Sequence, residues 1–256
     1  MTKKAYAKVN IFLKIVGKKD SFHLLKSRFM IVKNLYDTIM IKPKTKSDEF
    51  VLEGDFGCET KQNSIYKIYQ ELQKFPQLKE FFKTHKVVVD KHIPEFAGLG
   101  GGSSDAGAFL NLCNQVCDLN LSLQERIDIG KKVGSDVAFF ITEYPSANVS
   151  GFGEIVQKFD EEALDIKTLT PPINCSTPKV YQEFAKNPHY DKNLADELWK
   201  KPSKEILQTY KKERLNDLLI PAQNLYHDIE NYFKPNSFLS GSGSTIFWIN
   251  NKNISK

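Results

Sequence analysis

The strongest constraint on the fold lies between residues 87 and 104. Val87, Val88 and Val89 form a β-branched run that ends at Asp90, and Pro94 closes it. Gly98-Leu99-Gly100-Gly101-Gly102-Ser103-Ser104 follows. Beyond it, apolar residues recur at Ala106, Phe109, Leu110, Cys113, Val116 and Cys117, the spacing of one helical face. A strand, a glycine turn and a helix capped by Ser103 or Ser104 satisfy this pattern. Glycines let backbone N–H groups approach a phosphate closely, and a helix N-terminus adds unpaired donors and partial positive charge. No Gly-Lys-Ser/Thr follows the glycines, which excludes a P-loop, and no acidic residue ends a following strand as a dinucleotide fingerprint requires. Taken alone, the string also describes a tight strand-to-helix turn.

A chain of 256 residues with 41% hydrophobic and 26% charged residues can bury a core as one large domain or two small ones. The net charge of +5, from 36 basic and 31 acidic residues, suits anionic small substrates and equally a plain basic surface. Lys3, Lys4, Lys18, Lys19, Lys211 and Lys212 are scattered and form no nucleic-acid-binding run. Cys58, Cys113, Cys117 and Cys175 include no CxxC pair, and no His stands at zinc-finger spacing. Cys113 and Cys117 are expected in the core as small hydrophobes, in a reduced, cytoplasmic protein. The basic N-terminus lacks a signal-peptide core, and no window holds the roughly 18 apolar residues of a membrane span.

Ala5, Ala7, Val9, Ile11, Leu13 and Ile15 alternate with Tyr6, Lys8, Asn10, Phe12 and Lys14. That period predicts a strand with one apolar face and Lys8 and Asn10 side by side on the other. A second strand is expected over Phe29 to Ile41, broken near Asn34 to Asp37, and a short one at Glu49 to Leu52. Ile65 to Phe75 reads as a helix. Ser122 and Glu125 have capping-box spacing, so a helix is expected from there to about Lys132, with Gly134 as its stop. Ser135-Asp136-Val137 opens another element, and Ser150 to Val156 reads as a turn between strands. Pro171 and Pro172 mark a crossover into a second half, which opens with a strand-like stretch near Leu169 to Cys175. Helices are expected after Thr177, Ser203 and Ala222, and a late strand over Ile246 to Ile249. There is no internal repeat and no low-complexity segment.

Pro94-Glu95-Phe96-Ala97-Gly98-Leu99-Gly100-Gly101-Gly102-Ser103-Ser104-Asp105-Ala106 resembles the phosphate-binding motif of the GHMP kinases. The triple glycine before Ser-Ser-Asp is similar to the diphosphocytidyl-methylerythritol kinase branch of that superfamily. Ala5-Tyr6-Ala7-Lys8-Val9-Asn10-Ile11-Phe12-Leu13 resembles the first family motif, and Leu239-Ser240-Gly241-Ser242-Gly243-Ser244-Thr245 the third. Gly134-Ser135-Asp136-Val137-Ala138-Phe139-Phe140 resembles the catalytic aspartate segment. Ser21-Phe22-His23-Leu24-Leu25 and Thr177-Pro178-Lys179-Val180-Tyr181 resemble segments lining a cytidine pocket.

The resemblance implies an α+β, two-part fold. Residues 1–150 would form an N-terminal domain like domain 2 of ribosomal protein S5, and residues 151–256 a ferredoxin-like C-terminal domain, with the site in the cleft between them. It implies an ATP-dependent kinase, with Mg²⁺, that phosphorylates the 2-hydroxyl of 4-(cytidine 5'-diphospho)-2-C-methyl-D-erythritol on the non-mevalonate route. Lys8 and Asp136 would be catalytic. Gly98, Leu99, Gly100, Gly101, Gly102, Ser103 and Ser104 would hold the ATP phosphates, with Asn63 and Lys91 near the adenine. Asn10, Phe22, His23, Tyr181, Ser240 and Gly241 would bind the second substrate. Ser103 is the candidate for a hydroxyl touching the β-phosphate or Mg²⁺. Asp105, in the first helical turn, complements the helix dipole. Phe22 stands where the branch more usually has Tyr, which keeps stacking but loses a phenol hydrogen bond. The alternatives are another GHMP kinase (acting on homoserine, mevalonate or a sugar), a silent GHMP-like sensor, or a basic RNA-binding protein on an S5-like fold.

Overall fold

The computed structural model describes residues 1–20 and 22–250. Two compact units are present, each discontinuous in sequence. The first comprises residues 1–7, 34–93 and 100–143, and the second residues 8–33, 94–99 and 144 onward. Two long strands, β1 (Thr2–Lys19) and β2 (Phe22–Pro43), pair with each other and contribute residues to both units.

In the first unit a short β3 (Leu52–Glu53) lies parallel to β4 (His85–Asp90). The distal part of β2 pairs antiparallel with β4, from Thr38 opposite Asp90 to Pro43 opposite His85. The helices are α1 (Ser64–Leu72), α2 (Pro76–Thr84), α3 (Gly101–Val116), α4 (Leu123–Lys131) and α5 (Val137–Thr142). Packing of α3 against α1 and α5 builds a core that includes Ile39, Ile65, Leu72, Val87, Phe109, Cys113 and Ile141. Helix α4 carries the predicted capping box: Ser122 accepts from the Glu125 N–H, and the Glu125 carboxylate accepts from the Ser122 N–H.

In the second unit the proximal part of β2, Leu25 to Met30, pairs antiparallel with β5 (Ser146–Gly151), which pairs with β6 (Ile155–Lys158). A separate antiparallel sheet contains β7 (Ile166–Leu169), β8 (Phe238–Leu239) and β9 (Ile246–Ile249) in the order β7-β9-β8. Helices α6 (Thr177–Phe184), α7 (Lys192–Lys200), α8 (Ser203–Thr209), α9 (Lys212–Leu215) and α10 (Leu219–Leu225) complete it. A core of Leu13, Ile15, Cys175, Val180, Phe184, Leu219, Ala222, Ile229 and Ile246 fills this unit.

The first strand departs from the alternation reading. Lys8, Asn10 and Lys14 are only 4%, 3% and 2% exposed, so both faces of β1 are covered. A period of two reports polarity and is silent about cover; here the polar face is buried because each charge has a partner. Lys14 forms an ion pair with Asp217, whose second oxygen accepts from the Ile15 N–H at 2.7 Å. The Asp217 N–H in turn donates to the Leu13 carbonyl at 3.0 Å. Strand β2 also runs unbroken through Asn34 to Asp37, where a break was expected. The strand-like reading of residues 169–175 fails past Leu169, where Thr170 and the two prolines follow without ladder pairing. Neither Ser103 nor Ser104 caps α3: Gly100 does, and both serines lie within the first turn. Among the described residues no helix is long and apolar enough to cross a membrane.

Candidate active site

The predicted site residues fall into two groups, one in each unit. In the second unit β1 brings Lys8 and Asn10 onto one face two residues apart. The Lys8 ammonium donates to Asn10 Oδ1 at 2.7 Å and to the Gly98 carbonyl at 3.2 Å, and it stands 4.5 Å over the Phe29 ring. Asn10 Nδ2 donates to Ser27 Oγ at 2.9 Å, which locks the amide orientation. The Gly98 carbonyl also accepts from Ser240 Oγ at 2.9 Å. Gly98 has φ +72°, and a Cβ there would collide with the Ser240 carbonyl, so two independent demands select glycine. Gly241 completes the group: a Cβ on it would lie 3.4 Å from Asn10 Oδ1. Lys8, Asn10, Gly98 and Ser240, far apart in sequence, are thus one hydrogen-bonded cluster with a buried cation, and Gly241 packs beside it. Leu99 is buried, and its carbonyl accepts from the Lys8 N–H at 2.9 Å.

The second unit also joins His23 to Tyr181. Their rings stack with centroids 5.4 Å apart and planes 27° apart, and Phe184 meets His23 edge-on at 5.5 Å. Partial burial, reinforced by the charge of Lys18, holds the imidazole below its ordinary pKa. Phe22 is exposed and packs on Phe152, centroids 5.5 Å apart, a residue of the β5–β6 turn that sequence reasoning did not single out. Ser21, which opens the predicted segment, lies outside the described residues.

In the first unit α3 is entered through its N-cap Gly100, φ +71°, a left-handed residue that turns the chain into the helix. The first-turn amides of Gly101, Gly102 and Ser103 lack intrahelical partners by the geometry of a helix start. Ser104 N donates to Gly100 O at 2.8 Å, and Ser104 Oγ donates to the Tyr6 carbonyl at 2.7 Å, which anchors the turn to β1. Ser103 Oγ faces the turn that carries Asp136: a Cβ built on Gly134 would lie 3.7 Å from it. Asp136 itself stands at the N-cap position of α5 and makes no side-chain cap bond there. Asn63 caps α1, accepting from the Ile65 N–H at 2.8 Å, and Ser64 Oγ lies 3.6 Å from where a Cβ on Gly102 would sit.

Lys91 is placed between two carboxylates. Its ammonium donates to Asp37 Oδ2 at 2.5 Å and to Asp105 Oδ2 at 2.6 Å. Burial alone would push Lys91 down, but Asp105 and Asp37 together raise it. Asp105 is pushed up to about 7, chiefly by burial, with Asp37 adding to the rise and Lys91 opposing it. Its Oδ1 is buried and has no hydrogen-bond partner. Sequence reasoning misses Asp37; its signal is an acidic residue inside an apolar strand, the same pattern that a strand break gives.

Comparison with known proteins decides the family. The profile described as GHMP kinases N terminal domain matches residues 63–144. A 4-diphosphocytidyl-2-C-methyl-D-erythritol kinase of Sulfurimonas denitrificans is 46% identical, with 97% of each chain covered. A Sulfurovum enzyme of the same name is 48% identical over 95% of this chain and 96% of its own. The chain belongs to the 4-diphosphocytidyl-2-C-methyl-D-erythritol kinase family. It is an ATP-dependent small-molecule kinase of the GHMP class. A crystal structure of a 4-(cytidine 5'-diphospho)-2C-methyl-D-erythritol kinase superimposes with a TM-score of 0.75 at 24% identity, covering 98% of this chain and 90% of that one. An L. major mevalonate kinase gives 0.63 at 14% identity, over 99% and 88%. These two likenesses establish the α+β GHMP kinase fold.

Proposed function

We propose that this kinase transfers the γ-phosphoryl group of ATP to the 2-hydroxyl of 4-(cytidine 5'-diphospho)-2-C-methyl-D-erythritol, giving the 2-phosphate and ADP, in the cytoplasm and on the non-mevalonate route to isoprenoids. The observation that carries this assignment is near-full-length identity of 46–48% to kinases of that name, in a chain whose glycine turn opens α3 with bare amides.

Phosphoryl transfer demands positioning and charge neutralisation more than covalent chemistry from the protein. The amides of Gly100, Gly101, Gly102 and Ser103 hold the ATP phosphates, aided by Gly98, Leu99 and Ser104. Asn63 and Lys91 lie toward the adenine. Asp136 orients the substrate hydroxyl and accepts its proton as the oxygen bonds to phosphorus and the bond to the ADP oxygen breaks. Lys8, its ammonium fixed by Asn10 and the Gly98 carbonyl, balances charge on the moving group. Asn10, Ser240 and Gly241 contact the second substrate. His23 reads the cytosine edge with one ring nitrogen donating and the other accepting, and Phe22 and Tyr181 supply stacking surface. Residues 1–150 and 151–256 correspond to the N- and C-terminal domains of the GHMP architecture.

Mg²⁺ would enter with the nucleotide. Among the described residues no group of three His, Cys, Asp or Glu side chains is arranged for a metal, and Mg²⁺ in kinases takes most of its ligands from phosphate and water. The Ser103 hydroxyl is the protein oxygen that would join them. When bound, the ion neutralises developing charge on the phosphates.

A coupled ADP-release assay tests the assignment. Turnover is expected with the cytidine-linked substrate and not with mevalonate, homoserine or galactose; preference for any of these three overturns it.

A further inference from the structure

Asp37 lies in the distal part of β2 and is fully buried, a costly place for a carboxylate unless it is paired. Its two oxygens have different duties. Oδ1 accepts from the backbone N–H groups of His92 at 2.5 Å and Ile93 at 2.8 Å. Oδ2 accepts from the Lys91 ammonium, which passes the connection on to Asp105 in the first turn of α3. Both routes end at the glycine turn. A Cβ on Gly101 would touch Ile93 Cγ2 at 3.0 Å and lie 3.8 Å from Lys91 Nζ. Asp37 therefore holds the backbone of Ile93 and the ammonium of Lys91, the two residues that wall Gly101.

The charge state of Lys91 points the same way. An ammonium donating to two carboxylates within 2.6 Å already has its charge matched. It is a poor ligand for an incoming phosphate and a good tether between a strand end and a helix start. We propose that Asp37 is a positioning residue for nucleotide binding, acting through Lys91 and Asp105 to hold the first turn of α3 in place. This rests on the reading that this turn receives the ATP phosphates.

The test uses the full chain with four single substitutions and one double variant. Asp37→Asn keeps Oδ1 for the two backbone donors and removes the charge facing Lys91. Lys91→Met removes the middle of the tether. Asp37→Asn is expected to raise the KM for ATP about 5- to 30-fold, inside the span of coupling between directly contacting groups, with the KM for the cytidine-linked substrate unchanged. In the Lys91→Met background it adds nothing further. A merely structural role would lower the melting temperature and the active fraction while leaving the ATP KM alone. Should Asp37→Asn melt below the assay temperature, Asp105→Ala cuts the tether at its helix end and must give the same selective rise. A rise with Lys91→Met but none with Asp37→Asn, or effects of the two that multiply, overturns the proposal. If Gly101→Val leaves ADP binding unchanged in a direct titration, the phosphate reading of the turn fails instead.

Discussion

Asp136→Ala is expected to cut turnover by about 10²-fold or more, as loss of a positioned acid-base group does, with little change in ADP affinity. Steady-state kinetics with near-normal turnover would remove Asp136 from the mechanism. His23→Ala is expected to raise the KM for the cytidine-linked substrate far more than that for ATP, and equal effects on both would count against base reading. His23 also sets a pH dependence. Its imidazole is held below the ordinary value of 6.5, so at neutral pH it is uncharged, with one donor and one acceptor. As pH falls through the lowered value the ring gains a proton and loses its acceptor. The KM for the cytidine substrate should therefore rise in acid while the His23→Ala variant stays flat, measured between about pH 5 and 8. Single residues were legible where a motif surrounds them: Lys8, Asn10, Gly98 and Ser240 do converge. Asp37 was not, because its meaning depends on Lys91, 54 positions away.

Helix α3 and its glycine turn were visible because their signals are local: a β-branched run, glycines and a 3.6-residue period. The capping box of α4 and strand β9 were legible for the same reason. Ser122→Ala should lower stability by about 1 kcal/mol, read from denaturant unfolding, since it leaves the Glu125 N–H without its cap. Gly98→Ala should be far more damaging to activity than its single added methyl suggests. It forces a side chain to φ +72° and against the Ser240 carbonyl, displacing the carbonyl that Lys8 and Ser240 share. An unchanged kcat/KM would show that this cluster has no part in the chemistry. Helix α7 went unread although Asp191 caps it and Leu194, Ala195 and Leu198 form its buried stripe. Its polar flanks gave no boundary, and burial of that stripe is a tertiary fact.

At the scale of the molecule, the buried charges outside the family motifs were not legible in the sequence. Arg28 is fully buried in the second unit. Its guanidinium donates to Asn148, Glu161, Ser203 and the Trp199 and Lys201 carbonyls, and it lies 3.3 Å over the Phe159 ring. Burial pulls its pKa down to about 10 and Glu161 opposes that shift. Arg28→Met should cost about 3–5 kcal/mol by chemical denaturation, because it removes the cation facing Glu161 and takes the guanidinium donor away from Asn148 Oδ1 and the Lys201 carbonyl. Asp105 gives the opposite sign. Its folded-state value of about 7 exceeds the ordinary 3.8, so between these the folded chain binds a proton that the unfolded chain lacks. Its contribution to stability thus falls as pH rises through that window. The melting temperature of the Asp105→Asn variant should gain on that of the unchanged protein from about pH 5 to 8, and a constant gap would refute the raised value.

The bond between Lys14 and Asp217 has a consequence for how the protein is made. A ribosome delivers Lys14 some 200 positions before its counter-ion. Until Asp217 emerges, the opening strand of the nascent chain carries an unmatched ammonium between Leu13 and Ile15, residues destined for the core. Contacts so distant in sequence are slow to close and leave apolar strand edges available to other chains meanwhile. Translation stalled before residue 217 should yield aggregation-prone, protease-sensitive fragments, whereas release past it should give a resistant product.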